Sequence, residues 1–312
     1  MDSNASLRIF GLRAPAATAP GRTTELLLLW ATLYHRGVHP MGSLPRADDR
    51  FRLALVTGAC SGIGRAIADR LGSLGYELVV VSQRPVELER AAEEIRARHG
   101  ATVHPLVLDL SRAEAAEELY AAVRAKGHDV DILVNNAGFF FFGQAVDASP
   151  DRAKAMLHLH VVTPSLLCTL FGRDMRARAR GHILIVSSIS AWRDFPGISY
   201  YGSSKKYLRG FACALRSELG PHGVNVTCLA PGATATALYD PNVVPVARAQ
   251  RLGVMMDATT VADAGLAALF AGKAEHIPGL LTRALTVGAA LTPQWVVDLV
   301  RRRAPWLDGG AR

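Results

Sequence analysis

Leu53-Ala54-Leu55-Val56-Thr57-Gly58-Ala59-Cys60-Ser61-Gly62-Ile63-Gly64 runs from four apolar residues straight into a glycine-rich turn. A short, continuous apolar run bounded by a turn signal reads as a strand covered on both faces. Beyond Gly64 the pattern is helix-like as far as Leu74-Gly75. A strand, a glycine turn and a helix start in that order make a phosphate site. Glycines let the backbone approach a pyrophosphate, and the helix N-terminus aims its N–H groups at it. The spacing is G-x-x-x-G-x-G, not the more familiar G-x-G-x-x-G. An ordinary tight turn is the bland alternative; the strand before it and the helix after it favour a dinucleotide.

Working outward, the alternation continues. Glu77 to Ser82 reads as a strand, Val86 to His99 as a helix, Thr102 to Leu108 as a strand and Ala113 to Lys126 as a helix. Val130 to Val134 is a further strand that enters Asn135-Asn136-Ala137-Gly138. Repeated strand–helix units predict an α/β fold, a doubly wound parallel sheet with helices on both faces. The end of the second strand bears on cofactor choice. A carboxylate about 20 residues past the glycines usually holds the ribose diol of NAD. Here the chain reads Ser82-Gln83-Arg84, and the first carboxylate is Glu87. A guanidinium suits a 2′-phosphate. NADP(H) is therefore favoured, with NAD(H) as the second choice and Arg84 as a solvated loop residue in that case.

The chemistry sits between Ser188 and Lys205. Tyr201 and Lys205 are four apart, so on a helix they share one face. Tyr200 has Ser204 at that interval instead, which leaves Tyr201 as the assignment. A phenol ordinarily titrates at about 10, and a neighbouring ammonium lowers that value. Such a tyrosine exchanges a proton with an alcohol or carbonyl oxygen near neutral pH. A bare Y-x-x-x-K on a surface helix would mean nothing by itself. Its place after the glycine turn gives it weight.

Four motifs in order resemble the classical short-chain dehydrogenase/reductase family. They are the Thr57–Gly64 turn, Asn135-Asn136-Ala137-Gly138, Ser188 with Tyr201 and Lys205, and Pro231-Gly232 with Thr236. Ser188 precedes Tyr201 by 13 residues, the usual interval in that family. The likeness covers about residues 52 to 282. It implies a single Rossmann-like domain with a seven-stranded, mainly parallel sheet in the order 3-2-1-4-5-6-7. It implies that Gly58, Cys60, Ser61, Gly62, Ile63 and Gly64 cradle the pyrophosphate, and that Asp109 and Leu110 meet the adenine. Asn135 would brace the sheet, and Asn136, Ala137 and Gly138 would pass beside the ribose. Ser188 would orient the substrate oxygen, Tyr201 would move the proton, and Lys205 would hold the nicotinamide ribose. Pro231, Gly232, Thr234 and Thr236 would grip the carboxamide, and residues 236 to 256 would form a lid.

Two positions depart from the family pattern. His160 stands where a catalytic Asn is usual, and Cys60 replaces a Ser or Ala in the turn. In the family the helix position supplies a main-chain carbonyl to a water relay. Pro164, four residues on, has no N–H to offer the His160 carbonyl, so that oxygen is expected to be available and the helix kinked. The substrate wall reads as apolar. Phe140, Trp192 and Phe195 with Ser190 are the candidates, facing a hydrophobic carbonyl compound or alcohol. Some of the run Phe139-Phe140-Phe141-Phe142 is expected to be core.

Composition sets the remaining bounds. The chain has 312 residues, half of them hydrophobic and 20% charged, with a formal net charge of +8. The basic groups Arg173-Arg176-Arg178-Arg180 and Arg301-Arg302-Arg303 are not interleaved with aromatics, so no nucleic-acid partner is expected. Cys60, Cys168, Cys213 and Cys228 have no metal-ligand spacing; no metal is expected, and reduced thiols fit a cytoplasmic protein. Residues 1–50 lack a core pattern and are expected to be a poorly ordered extension. Their run Leu26–Trp30 is too short to cross a bilayer. Two readings of residues 1–40 stand open: an organelle-targeting peptide, or a start placed upstream of Met41. Residues 283–312 read as a C-terminal helical extension, apolar and then basic. They are suited to a subunit contact in a homodimer or homotetramer, or to a membrane surface. The function expected is an NADP-dependent oxidoreductase. The alternative is a catalytically idle nucleotide-binding or membrane-surface regulatory protein on the same fold.

Overall fold

Strand β1 (Leu53–Thr57) is buried at every position, as its unbroken apolar run requires. It lies inside the sheet, third of seven strands, in a computed structural model that describes residues 44–48, 51–236 and 255–303. Beside it run β2 (Glu77–Ser82) and β3 (Val103–Val107) on one side. On the other side run β4 (Ile132–Asn135), β5 (Gly181–Val186), β6 (Val224–Leu229) and the two-residue β7 (Glu275–His276). The order is β3-β2-β1-β4-β5-β6-β7. All six pairings are parallel. The expected seven-stranded order is therefore the observed one, and the mainly parallel sheet is parallel throughout.

Helices cover both faces. On one, α3 (Ala115–Arg124), α5 (Thr163–Ala177) and α6 (Ser199–Leu219) bury Leu119, Phe171 and Leu208 against Leu55, Val79 and Ile183. On the other, α1 (Gly62–Ser73), α2 (Pro85–His99) and α7 (Ala258–Phe270) bury Ile67, Ile95 and Leu266 against Val56, Val80 and Leu184. Each such side chain, fully removed from water, contributes roughly 1.5–3 kcal/mol. The strand order reverses between β1 and β4. Parallel α/β sheets open a crevice there, outside the carboxyl ends of the strands.

Helix α4 (Pro150–Leu157) leads into α5 through a π-turn, His158–Val162, in which the Thr163 N–H donates to the His158 carbonyl. This is the disruption that Pro164 demands, taken up as a wider turn. After β7, α8 (Leu280–Leu291) and α9 (Gln294–Arg303) close the described chain. Leu280, Leu281, Leu285, Val287 and Leu291 on α8, and Trp295 on α9, are exposed.

The N-terminal boundary differs from the expected one. Leu44 and Ala47 pack against the core, and the Ala47 N–H donates to the Leu74 carbonyl at 3.0 Å. Residues 44–48 thus belong to the fold: a short segment with two apolar anchors carries too little periodicity to be read as core. Residues 1–43 lie outside the described residues, as do both readings of that segment.

Candidate active site

The floor of the crevice is stitched by one hydroxyl. Thr57 Oγ1 donates to the Val134 carbonyl at 3.1 Å and accepts from the N–H groups of Asn136 (2.9 Å) and Ala137 (3.0 Å). Asn136 Nδ2 returns a bond to the Thr57 carbonyl at 3.0 Å. The ends of β1 and β4 are thereby locked together, and this leaves no room in the turn. A Cβ on Gly58, whose φ is +67°, would lie 2.9 Å from Ala137 Cα. One on Gly64 would meet the Gly58 carbonyl oxygen at 2.4 Å. Asn135 braces the same corner, with Nδ2 at 3.2 Å from Cys168 Sγ and 3.4 Å from the Pro164 carbonyl.

Arg84 follows β2 and turns back over the glycine turn. Its Nη2 donates to Ser61 Oγ at 2.8 Å and Cys60 Sγ at 2.9 Å, and its backbone N–H donates to Ser82 Oγ at 3.2 Å. Cys60 Sγ also lies 3.1 Å from Ser82 Oγ. Glu87 pairs with the guanidinium, its Oε1 3.7 Å from Arg84 Nη1. The corner presents hydroxyl and N–H donors beside a cation that has one carboxylate partner. Asp109 faces the crevice from the end of β3, with its Oδ1 held by the N–H and hydroxyl of Ser111 at 2.9 and 2.7 Å.

Opposite stand Ser188, Tyr201 and Lys205, all on the crevice wall. Ser188 begins a short turn after β5. Its Oγ accepts from the Ser190 N–H at 3.2 Å, so its own proton is available to a ligand. Tyr201 and Lys205 lie one turn apart on α6. Lys205 is buried; its Nζ donates to the Val186 carbonyl at 3.0 Å and sits 5.7 Å from the Tyr201 ring centre. Burial pulls the Lys205 pKa from 10.5 to about 8, so at neutral pH the amine is still protonated.

His160 joins this wall from the π-turn. Its Nε2 accepts from the Phe139 N–H at 3.1 Å, and its Nδ1 lies 3.0 Å from Ser204 Oγ. Ser204 spends its own proton on the Tyr201 carbonyl at 2.8 Å, so Nδ1 must donate to Ser204. The bonds thus define one neutral tautomer. Burial, with the Lys205 charge, keeps its pKa well below the usual histidine range.

The phenylalanine run divides. Phe140 packs edge-on to Tyr201 with ring centres 5.0 Å apart and lines the crevice, whereas Phe141 turns away beneath the Arg152 guanidinium. Ser190 and Phe195 also line it, and Ser190 Oγ is buried there with no partner among the described residues. Trp192 does not: the Arg209 guanidinium stacks 4.3 Å over its ring, which holds it outside the crevice wall. Ala155, Leu159 and Ile198 complete the apolar side. They carry no sequence signal: Ala155 and Leu159, four apart, read as a core face, and Ile198 is a lone apolar residue before α6. Leu110 lines the crevice beside Asp109 after β3, and Gly138, Pro231, Gly232, Thr234 and Thr236 line it after β4 and β6. Residues 237–254, the rest of the expected lid, lie outside the described residues.

A family model for short chain dehydrogenase matches residues 52–243. The chain belongs to the short-chain dehydrogenase family. This is a family of NAD(P)-dependent oxidoreductases. The chain is 38% identical over 187 residues to dehydrogenase/reductase SDR family member 4 of Sus scrofa, a match that covers 59% of this chain and 66% of that one. Among solved structures it resembles a short-chain dehydrogenase from Sphingobium yanoikuyae in complex with NADPH. There the TM-score is 0.68 at 26% identity, over 84% of this chain and 97% of the other. A putative NAD(P)-dependent gluconate 5-dehydrogenase from Beutenbergia cavernae with bound NADP gives 0.64 at 28% identity, over 72% and 94%.

The residues present fit the family's dinucleotide. The crevice encloses about 860 Å³ and runs from Arg84 to Thr236 past the glycine turn. That is large enough for an extended cofactor beside a small substrate. The glycine packing leaves the turn's backbone bare toward the crevice, as close approach of a pyrophosphate requires.

Proposed function

We propose that the protein is an NADP-dependent oxidoreductase that interconverts a carbonyl and an alcohol on a hydrophobic small molecule. The observation that carries this reading is the placement of Ser188, Tyr201 and Lys205 on the wall of the crevice that also holds the glycine turn and Arg84. The nicotinamide, when bound, supplies the hydride. The chain's own residues do the rest. Arg84, with Cys60 and Ser61, binds a 2′-phosphate, and the Thr57–Gly64 backbone binds the pyrophosphate. Ser188 donates its hydroxyl proton to the substrate oxygen and fixes its position. Tyr201 gives that oxygen a proton in reduction and takes it back in oxidation. The buried Lys205 ammonium favours the phenolate over the phenol. The His160 main chain continues the proton path, and its imidazole holds Phe139 and α6 in place. Phe140, Phe195 and Ile198 prefer an apolar substrate body.

The test is NADPH oxidation across a panel of hydrophobic ketones and aldehydes, with wild type and Tyr201→Phe side by side. Turnover in the wild type, its loss in the variant and an unchanged NADPH affinity are expected. An equal loss of NADPH affinity makes Tyr201 structural and overturns the reading.

We infer a second property from α8 and α9. The exposed apolar residues of α8 are followed by exposed Arg302 and Arg303. An apolar face beside cations suits the surface of an anionic bilayer.

A further inference from the structure

Glu77, His104 and His128 meet at the end of the sheet remote from the crevice. Glu77 opens β2, His104 is the second residue of β3, and His128 precedes β4 on the turn after α3. In a parallel sheet these amino ends share one edge, opposite the carboxyl ends that hold the nucleotide. One ligand atom from each residue lies within 4.8 Å of the other two. His104 Nε2 is 2.6 Å from Glu77 Oε1, and the two imidazole rings are 5.0 Å apart. All three residues are half-buried.

We propose that these residues form a binding site for a divalent transition metal of the zinc class. Two imidazoles and one carboxylate are a donor set that zinc accepts, with water in the fourth position. Two nitrogen donors argue against calcium and magnesium, which take oxygen. The local charge also fits. Among the described residues Glu77 has no Lys or Arg ion-pair partner, although most carboxylates nearby on α1 and α2 have one. His128 makes no hydrogen bond among the described residues, and its ring meets only that of His104. An acceptor pair and an uncommitted imidazole are thus held together without a cation.

Tetrahedral donors at zinc stand roughly 3.4 Å apart. The Glu77–His104 contact must open slightly and His128 must swing inward. His128 follows Gly127, whose φ is +71°, on an open turn, so a side-chain rotation closes the site without shifting the sheet. When the ion enters, the His104 N–H proton that now points at Glu77 leaves to solvent and the nitrogen lone pair binds the metal. The ion would tie edge strand β3 and the α3–β4 turn to β2. It is a staple for the fold, separate from the hydride chemistry.

The experiment uses the full chain without an affinity tag, stripped of metal and titrated with cobalt(II), then zinc(II). One equivalent of cobalt should give the visible bands of a tetrahedral site, zinc should displace it, and zinc should raise the melting temperature. His104→Gln and His128→Gln should each weaken cobalt binding by more than about 100-fold, beyond the 10–100-fold expected when only an outer partner is lost. Both variants should bind NADPH as the wild type does, which shows the fold to be intact. Absence of cobalt binding by the full chain overturns the proposal. So does an unchanged spectrum and affinity in the double variant, which would place the metal elsewhere.

Discussion

Lys205→Met should make the cofactor-free protein more stable while ending its turnover. The magnitude follows from burial. Lys205 titrates at about 8 in the folded protein against 10.5 for the free side chain. That difference of about 2.5 units, at about 1.4 kcal/mol each, puts the cost of burying the ammonium at about 3 kcal/mol. The sign is set by the lowered value. Between about 8 and 10.5 the unfolded chain binds more protons than the native one, so native stability rises with pH across that window. Below about 8 the penalty is present in full. Methionine fills a similar volume without a charge. It also removes the Nζ donor from the Val186 carbonyl, which gives back about 1–2 kcal/mol. A net gain of about 1–2 kcal/mol remains at pH 7. Urea unfolding of both proteins, without cofactor, at pH 7 and pH 10 measures it. Taking the difference cancels other titrating groups. The variant's advantage should be clear at pH 7 and shrink by pH 10. A variant less stable than wild type at pH 7, or an advantage independent of pH, refutes the reasoning.

Arg84→Ala should raise the Kd for NADPH by about tenfold or more while hardly moving that for NADH, because it removes a charge-assisted contact worth roughly 1.5–3 kcal/mol; a wild type that prefers NADH contradicts the assignment. His160→Leu should cost about 2–3 kcal/mol in thermal unfolding, through the lost bonds to Phe139 and Ser204, whereas His160→Asn should stay active with its pH–rate profile unshifted. A shifted profile would mean that His160 titrates during turnover. Pro164→Ala restores a donor to the helix and should slow proton transfer, seen as a larger solvent isotope effect; normal turnover in that variant removes the main-chain relay. Flotation with anionic vesicles should depend on residues 283–312, and a deletion that leaves flotation unchanged, or a full chain that dimerises instead of floating, rejects the lipid surface.

What could be read from the chain follows the range of each interaction. The sheet was legible because strands covered on both faces are apolar without interruption, as Leu78-Val79-Val80-Val81 is. Turn and helix chemistry is equally local, so Gly58, Gly62, Tyr201 and Lys205 stand out by spacing alone. Trp192 shows where that logic stops. Its position between Ser188 and Tyr201 points to the crevice, but its direction is decided by Arg209, a cation on the neighbouring helix. Arg84 is the converse case. Its charge suggests a phosphate site, and its bonds to Cys60 and Ser61 explain why a thiol is tolerated in the turn. His160 combines both kinds. Pro164 announces the break in the helix, and the π-turn supplies it. The state of the imidazole depends instead on Phe139, 21 residues before it, and Ser204, 44 residues after it. Those two bonds together require one tautomer, and burial keeps it neutral. On the proposed reading, a side chain so constrained is a positioning residue and not an acid or base. It would hold the Asn135–Phe139 loop at a set distance from α6, the helix that carries Tyr201 and Lys205.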